Sequence, residues 1–196
     1  MKLQARLPDS IVVNGKRYKA DFDFRNVLDM IETLDDDTLL PRIREYNALH
    51  CVFKRVPKDT TAAMQAVRNA LFPQIKQNTD GKKLTSFEQD ADLIRAAFRQ
   101  AYSIDLFRDK VHWLEFVSLL NALPEGSRYS EVLGIRARPM PKPTKYNHDE
   151  REWLAKAKAA CALRMTDKEI QKNYEQAVKN VFSVLMGIAQ RGNESG

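Results

Sequence analysis

From Phe24 onward, apolar residues recur at intervals of three and four, and this periodicity limits most strongly what the chain can fold into. The first stretch places Phe24, Val27, Leu28 and Ile31 on one side of a helix, after Asp23 as N-cap. Further helical stretches are predicted at residues 37–53, 60–75, 86–102, 110–123, 128–136, 148–164 and 166–190. The stretch 37–53 has Pro41 near its start and one apolar side, formed by Leu40, Ile43, Tyr46, Leu49 and Phe53. We therefore predict a mainly α protein.

One strand signal precedes the helices. In SIVVNGKRYKA, two short runs flank Asn14-Gly15, a dipeptide suited to the positive φ angles of a type I′ turn. A single hairpin is marginally stable, so it must lie on helices. The predicted fold class is thus mainly α, an α+β arrangement with a single N-terminal β-hairpin and a compact helical domain followed by C-terminal helices.

Two helix starts carry specific expectations. In SFEQDADLIRAAFRQAY, Ser86 as N-cap and Gln89 three residues later form a capping box. Asp109 is the expected N-cap of KVHWLEFVSLLNAL. This stretch is so apolar that its helix must lie at the centre of the domain, with His112 on a narrow polar strip.

Composition and prolines divide the chain into three parts. Residues 1–135 form the helical domain with the hairpin, residues 136–147 a Pro-rich linker, and residues 148–196 a basic helix and a coiled-coil-like C-terminal helix. The net charge of +6 is uneven, because residues 1–135 carry 20 basic against 19 acidic side chains. Residues 136–164 carry 8 against 3. That segment could contact nucleic acid, contact a protein, or simply be solvated.

Nothing in the sequence predicts catalysis. His112 and Glu115 lie one helical turn apart, but no nucleophile or second carboxylate is signalled beside them. Neither a glycine-rich phosphate loop nor a metal-ligand spacing occurs, and Cys51 and Cys161 are expected to be free thiols of a reducing compartment. We expect no enzyme activity, no catalytic residues, no metal and no cofactor.

No apolar run reaches the roughly 18 residues of a membrane span, and the first residues have no secretory signal.

The last helix predicts a partner-binding surface. Its apolar residues follow the spacing of a coiled-coil seam, 4-3-4-3-4, at Ile170, Tyr174, Ala177, Val181, Val184 and Ile188. Cations of the preceding helix, Arg151, Lys156 and Lys158, are assigned to the same surface. The pattern leaves open whether this helix packs on its own domain or on another chain, a second copy included.

Two segments resemble a known family. LPDSIVVNGKRYKADFDFRNVLDMIETL is similar to its opening, and the segment from Phe87 to Arg136 shows F-x-Q-D, I-x-A-A-F, Y-x-I-D-L, H-W-x-x-F, L-L-x-x-L-P and a closing G-x-R in order. This is the "gene product fifteen" family of tailed bacteriophages and prophages, encoded near the tape-measure gene. The resemblance implies a tail assembly chaperone that binds the tape-measure protein and the major tail (tube) protein in the host cytoplasm and is absent from the mature virion. The alternative is a phage nucleic-acid-binding protein using residues 136–164.

Overall fold

The computed structural model describes residues 6–72 and 83–165 and confirms a mainly α chain with one hairpin. The strands are β1 (Ser10–Val13) and β2 (Lys16–Lys19). The helices are α1 (Phe24–Asp35), α2 (Pro41–Val52), α3 (Thr60–Leu71), α4 (Ala91–Tyr102), α5 (Trp113–Asn121), α6 (Arg128–Ala137) and α7 (His148–Cys161). None of these described helices has the length and hydrophobicity needed to cross a membrane.

The hairpin turns where the sequence predicts. Asn14 and Gly15 have φ angles of 48° and 77°, the left-handed values that a type I′ turn requires. β1 and β2 pair antiparallel, and β1 packs on α3 with Ile11 and Val13 buried. The marginal ribbon is therefore stabilised by a helix beneath it.

Side-chain caps start two of the first three helices. The carboxylate of Asp23 accepts a hydrogen bond from the backbone N–H of Arg25 at the start of α1, which confirms this predicted cap. Asp59 caps α3 by accepting from the N–H of Ala62. That bond, with a second one from the side-chain amide of Asn14, holds the pKa of Asp59 below its usual value. α2 begins with Pro41, as expected.

Aromatic side chains form the centre of the core, and the predicted central position of the 110–123 stretch is confirmed. The ring of Phe116 on α5 stacks on Phe24 at 4.7 Å, on Phe98 at 5.2 Å and on Trp113 at 5.9 Å between centroids. Phe98 and Phe116 are almost fully buried. The helix is less enclosed than its composition suggests, because Glu115 is exposed and several of its leucines are half-buried.

Two expected caps are wrong. His112, not Asp109, is the N-cap of α5, so the histidine precedes the helix rather than lying on a polar strip within it. The Ser86 hydroxyl does accept from the N–H of Gln89 at 3.3 Å, but it does so in a turn before α4, whose N-cap is Asp90. Local sequence patterns locate the start of a helix only to within a few residues.

Contacts divide the chain into two compact units. The first comprises residues 1–83 and 90–134, and the second residues 84–89 and 135–196, so the division falls within α6. In the second unit, residues 139–144 form no helix or strand, as three prolines predict, and Leu154 of α7 is fully buried. The Arg136 guanidinium donates to the carbonyls of Leu84 and Cys161 at 2.9 and 2.6 Å. It thereby links residues 84–89 to the end of α7.

Candidate interaction surfaces

The two segments that carry the family resemblance meet in the first unit. Asp23 and His112 form an isolated antiparallel β-bridge, which joins the backbones of the two segments. The N–H of Phe24 donates to the carbonyl of Val111 at 2.9 Å, and the N–H of Trp113 donates to the carbonyl of Phe22 at 2.8 Å. The starts of α1 and α5 are therefore joined by main-chain hydrogen bonds.

An ion pair supports this crossing. The guanidinium of Arg25 donates to both carboxylate oxygens of Asp23, at 2.7 and 2.9 Å, and also to the backbone carbonyls of Phe107 and Asp109. Burial is the largest single influence on the pKa of Asp23 and would raise it, but the hydrogen bonds and charge of Arg25, with a backbone hydrogen bond from Val111, together hold that pKa below its usual value. Asp23 is therefore a charged structural group that fixes the start of α1.

His112 has a structural position in the same crossing. Its Nδ1 accepts from the N–H of Leu114 at 3.1 Å, and its Nε2 lies 3.0 Å from the carbonyl of Pro8. A ring nitrogen that accepts and one that faces a carbonyl together indicate the neutral Nε2–H tautomer. Both ring nitrogens are engaged by the backbone, and no hydrogen bond joins His112 to Glu115 in the described part of the chain.

A cleft of about 220 Å³ lies beside this crossing, between residues 7–9, 20–23 and 110–112. Its charged side chains have partners: Asp23 binds Arg25, and the ammonium of Lys110 lies 3.4 Å from a carboxylate oxygen of Asp21. Within residues 6–72 and 83–165, no group of three or more His, Cys, Asp or Glu side chains is arranged to hold a metal ion. Both cysteines are free.

An exposed apolar row runs along α2 of the first unit. Leu40, Ile43 and Tyr46 are 69%, 47% and 50% exposed, whereas Leu49 and Val52 on the other side of the helix are buried. The ring of Tyr46 lies beside the ring of His50, with 6.3 Å between the two centroids. We call Leu40, Ile43 and Tyr46 the α2 row.

Sequence reasoning placed the α2 row on one side with Leu49 and Phe53, as a single core stripe. A step of three residues turns a helix by about 300°, so successive members drift backwards by about 60°. Leu40 and Leu49 are therefore about 180° apart, and only the latter reaches the core. Three successive steps of three, from Leu40 to Leu49, indicate that two faces of the helix are involved.

In the second unit, α7 carries the three cations predicted to bind partners. Lys156 is exposed and pairs with Glu152 at 2.6 Å. Arg151 and Lys158 are half-buried and donate to the backbone carbonyls of Pro141 and Arg136. Large apolar side chains of this unit, Met140, Tyr146 and Trp153, are 41%, 91% and 56% exposed.

The remaining predicted partner residues lie outside the described residues. They are the apolar seam Ile170, Tyr174, Ala177, Val181, Val184 and Ile188. Their assignment stays a prediction from sequence.

Comparison with known proteins gives one family. The family model described as "Bacteriophage Gp15 protein" matches residues 3–163, which include both segments that carry the resemblance, and confirms it. No curated protein and no solved structure matches the chain.

Proposed function

Because the chain belongs to the Bacteriophage Gp15 protein family, we propose that this phage protein is a non-catalytic chaperone of tail assembly. It binds the tape-measure protein and the tail-tube subunits while the tail is built. It acts in the host cytoplasm and leaves before the virion is complete.

The α2 row is the observation that carries this proposal. A helix of a folded unit presents Leu40, Ile43 and Tyr46 to solvent although its opposite side has a well-packed core. Contiguous exposed apolar side chains on a protein surface mark interaction sites. A row at helical spacing matches the ridge of an amphipathic partner helix, a common form of peptide recognition.

The physical basis of the activity is the hydrophobic effect. A long helical tape-measure chain exposes apolar stripes that would otherwise associate with one another. Covering such a stripe with the α2 row removes apolar surface from water, at roughly 25 cal/mol for each Å² buried. The partner is kept soluble because its stripe is occupied until the tube replaces the chaperone.

The second unit supplies a further contact in this proposal. The second unit would bind the partner on its own, through Arg151, Lys156 and Lys158 of α7 and through the apolar seam predicted beyond that helix. Attraction between these cations and acidic side chains would weaken with salt, since exposed charges are screened beyond about 8 Å at physiological ionic strength.

Co-expression with the tape-measure protein tests the proposal. The chaperone should keep that protein soluble and co-purify with it. Ile43→Asp should reduce the co-purified amount about tenfold, because one apolar contact of roughly 1.5 kcal/mol is replaced by a charge. Asn69→Asp is the matched control, since it adds the same charge to an exposed position of α3 in the same unit and keeps the side-chain oxygen that accepts from Gln65.

Two results would count against the proposal. The first is a tape-measure protein that is equally soluble with and without the chain. The second is an equal loss of binding in the Ile43 and Asn69 variants, which would show that the added negative charge, not the loss of an apolar side chain from the α2 row, is responsible. Mass spectrometry of purified virions tests the predicted absence of the protein from them.

A further inference from the structure

The hairpin and the α2–α3 connection bring two basic runs together. Lys-Arg-Tyr-Lys at 16–19 and Lys-Arg-Val-Pro-Lys at 54–58 contain no acidic residue. Ala20, directly after β2, forms an antiparallel bridge with Phe53, directly after α2, and the N–H of Asp21 donates to the carbonyl of Val52 at 2.9 Å. In this antiparallel register, Lys19 and Lys54 lie opposite each other as the next pair after Ala20 and Phe53.

Strand alternation places these lysines on the outer side. Ala20 and Phe53 are buried, so their neighbours Lys19 and Lys54 point away from the core, and both are exposed. Arg17, two residues before Lys19, lies on the same side.

The strand partner of Arg17 adds an apolar side chain to this side. Val12 pairs with Arg17 in the hairpin register and is 55% exposed. We call Val12, Arg17, Lys19 and Lys54 the basic hairpin face.

The cations of this face have no ion-pair partner among residues 6–72 and 83–165. Neighbouring carboxylates are used elsewhere: Asp21 pairs with Lys110, Asp59 accepts from Asn14 and Ala62, and Asp9 accepts from the Ser10 hydroxyl. Residues 136–164 differ, because most of their cations already bind carboxylates or carbonyls of their own unit.

We propose that the basic hairpin face binds an acidic protein segment. Its carboxylates pair with Arg17, Lys19 and Lys54, and an apolar side chain between them covers Val12. This site is separate from the α2 row and does not depend on a role in tail assembly.

Three observations favour an acidic protein segment over nucleic acid. Residues 1–135 have nearly balanced charge, 20 basic against 19 acidic, whereas nucleic-acid-binding domains are usually basic overall. The nearby carboxylates of Asp9, Asp21 and Asp59 would repel a continuous row of phosphates, while a short peptide ends before reaching them. An exposed valine among the cations has no counterpart on a phosphate backbone but fits an apolar side chain.

Fluorescence anisotropy with a short labelled glutamate peptide carrying one central leucine tests the proposal on the full chain. The double substitution Arg17→Glu with Lys19→Glu should weaken binding about tenfold or more, because two attractions become repulsions. Lys142→Glu with Lys145→Glu is the matched control: it reverses two exposed cations of the second unit and changes net charge equally. Its affinity should stay within about twofold of the unmodified chain's. Should the hairpin double variant fail to fold, Arg17→Gln with Lys19→Gln replaces it.

The contribution of Val12 has its own comparison. Val12→Thr keeps the β-branched shape of the side chain. It should lower the affinity for the leucine-containing peptide to the affinity for the same glutamate peptide without leucine. Absence of binding by the unmodified chain, or equal loss in both double variants, would overturn the proposal. Tighter binding of duplex DNA than of the peptide, with the same dependence on Arg17 and Lys19, would replace the protein partner with nucleic acid.

Discussion

Replacing Asp23 by asparagine should destabilise the first unit in a way that depends on pH. The Asp23 side chain is 6% exposed and binds Arg25 through two oxygens at 2.7 and 2.9 Å. Asparagine caps helices about as well as aspartate, so the hydrogen bond from the N–H of Arg25 should persist. The substitution therefore removes mainly the charge of the ion pair.

The expected loss is about 1–2 kcal/mol. Hydrogen bonds to charged groups contribute roughly 1.5–3 kcal/mol, whereas fully exposed ion pairs contribute roughly 0.2–1 kcal/mol. Because the Arg25 side chain is 39% exposed, solvent screening should keep the contribution of this ion pair below the upper end of the range for hydrogen bonds to charged groups. For a chain of this size that corresponds to a fall in Tm of roughly 2–8 °C.

The pH dependence follows from the direction of the pKa shift. Burial opposes it, but the hydrogen bonds and charge of Arg25, together with a backbone hydrogen bond from Val111, hold the pKa of Asp23 below its ordinary value of 3.8 in the folded protein. The ion pair therefore stabilises fully above that ordinary value, and the stabilisation is lost as pH falls through the lower, folded-state pKa. The difference between Asp23→Asn and the unmodified chain should shrink accordingly below about pH 4.

Urea unfolding followed by tryptophan fluorescence measures this difference. Trp113 lies beside the crossing, and a Trp153→Phe background removes the other tryptophan, which is more than half exposed. Asp92→Asn is the control, because the Asp92 side chain is 96% exposed and its pair with Arg95 should contribute at most about 0.5 kcal/mol. Equal losses in the two variants, or an undiminished loss for Asp23→Asn at about pH 3, would refute the reasoning.

Four further outcomes are expected. Gly15→Ala should lower the free energy of unfolding by about 1 kcal/mol, since its φ of +77° strains any side chain although the space around it is open. His112→Gln should cost about 1 kcal/mol through the lost cap but leave phage production intact; a folded, inactive variant would instead support an enzyme built around His112 and Glu115. Removing residues 165–196 should weaken co-purification with the tape-measure protein while the urea transition of Trp113 is unchanged; undiminished binding would exclude the predicted seam. Duplex DNA should not bind through residues 136–164 at about 50 mM salt, whereas a log–log salt slope near −4 would support the nucleic-acid alternative.

Several features of the fold follow from neighbouring residues alone and were predicted from sequence. Asn14-Gly15 forms the hairpin turn because few dipeptides accept two positive φ angles. Asp23 caps α1 and Pro41 starts α2, since both effects act within one helical turn. The family resemblance also rests on linear motifs, and it is confirmed.

The surfaces could be read from sequence only in part. An apolar residue at helical spacing belongs to the core or to an exposed row depending on what packs against that side of the helix. Leu49 reaches the core while Leu40 does not, although both belong to the same apparent stripe. The aromatic cluster around Phe116 was predicted as core, but its partners Phe24 and Phe98 come from distant helices.

Tertiary structure decided how the chain uses its caps and charges. Local pattern placed the cap of α5 at Asp109, but pairing of residues 22–24 with residues 111–113 starts that helix at Trp113. Composition locates the excess of positive charge in residues 136–164, but in the folded protein most of these cations bind carboxylates or carbonyls of their own unit. The bridge between Ala20 and Phe53 instead brings together cations without ion-pair partners, in a part of the sequence that is nearly neutral overall. Helix periodicity depends on residues at most four apart, but the solvation of a charge depends on groups that only long-range pairing brings within a few ångströms.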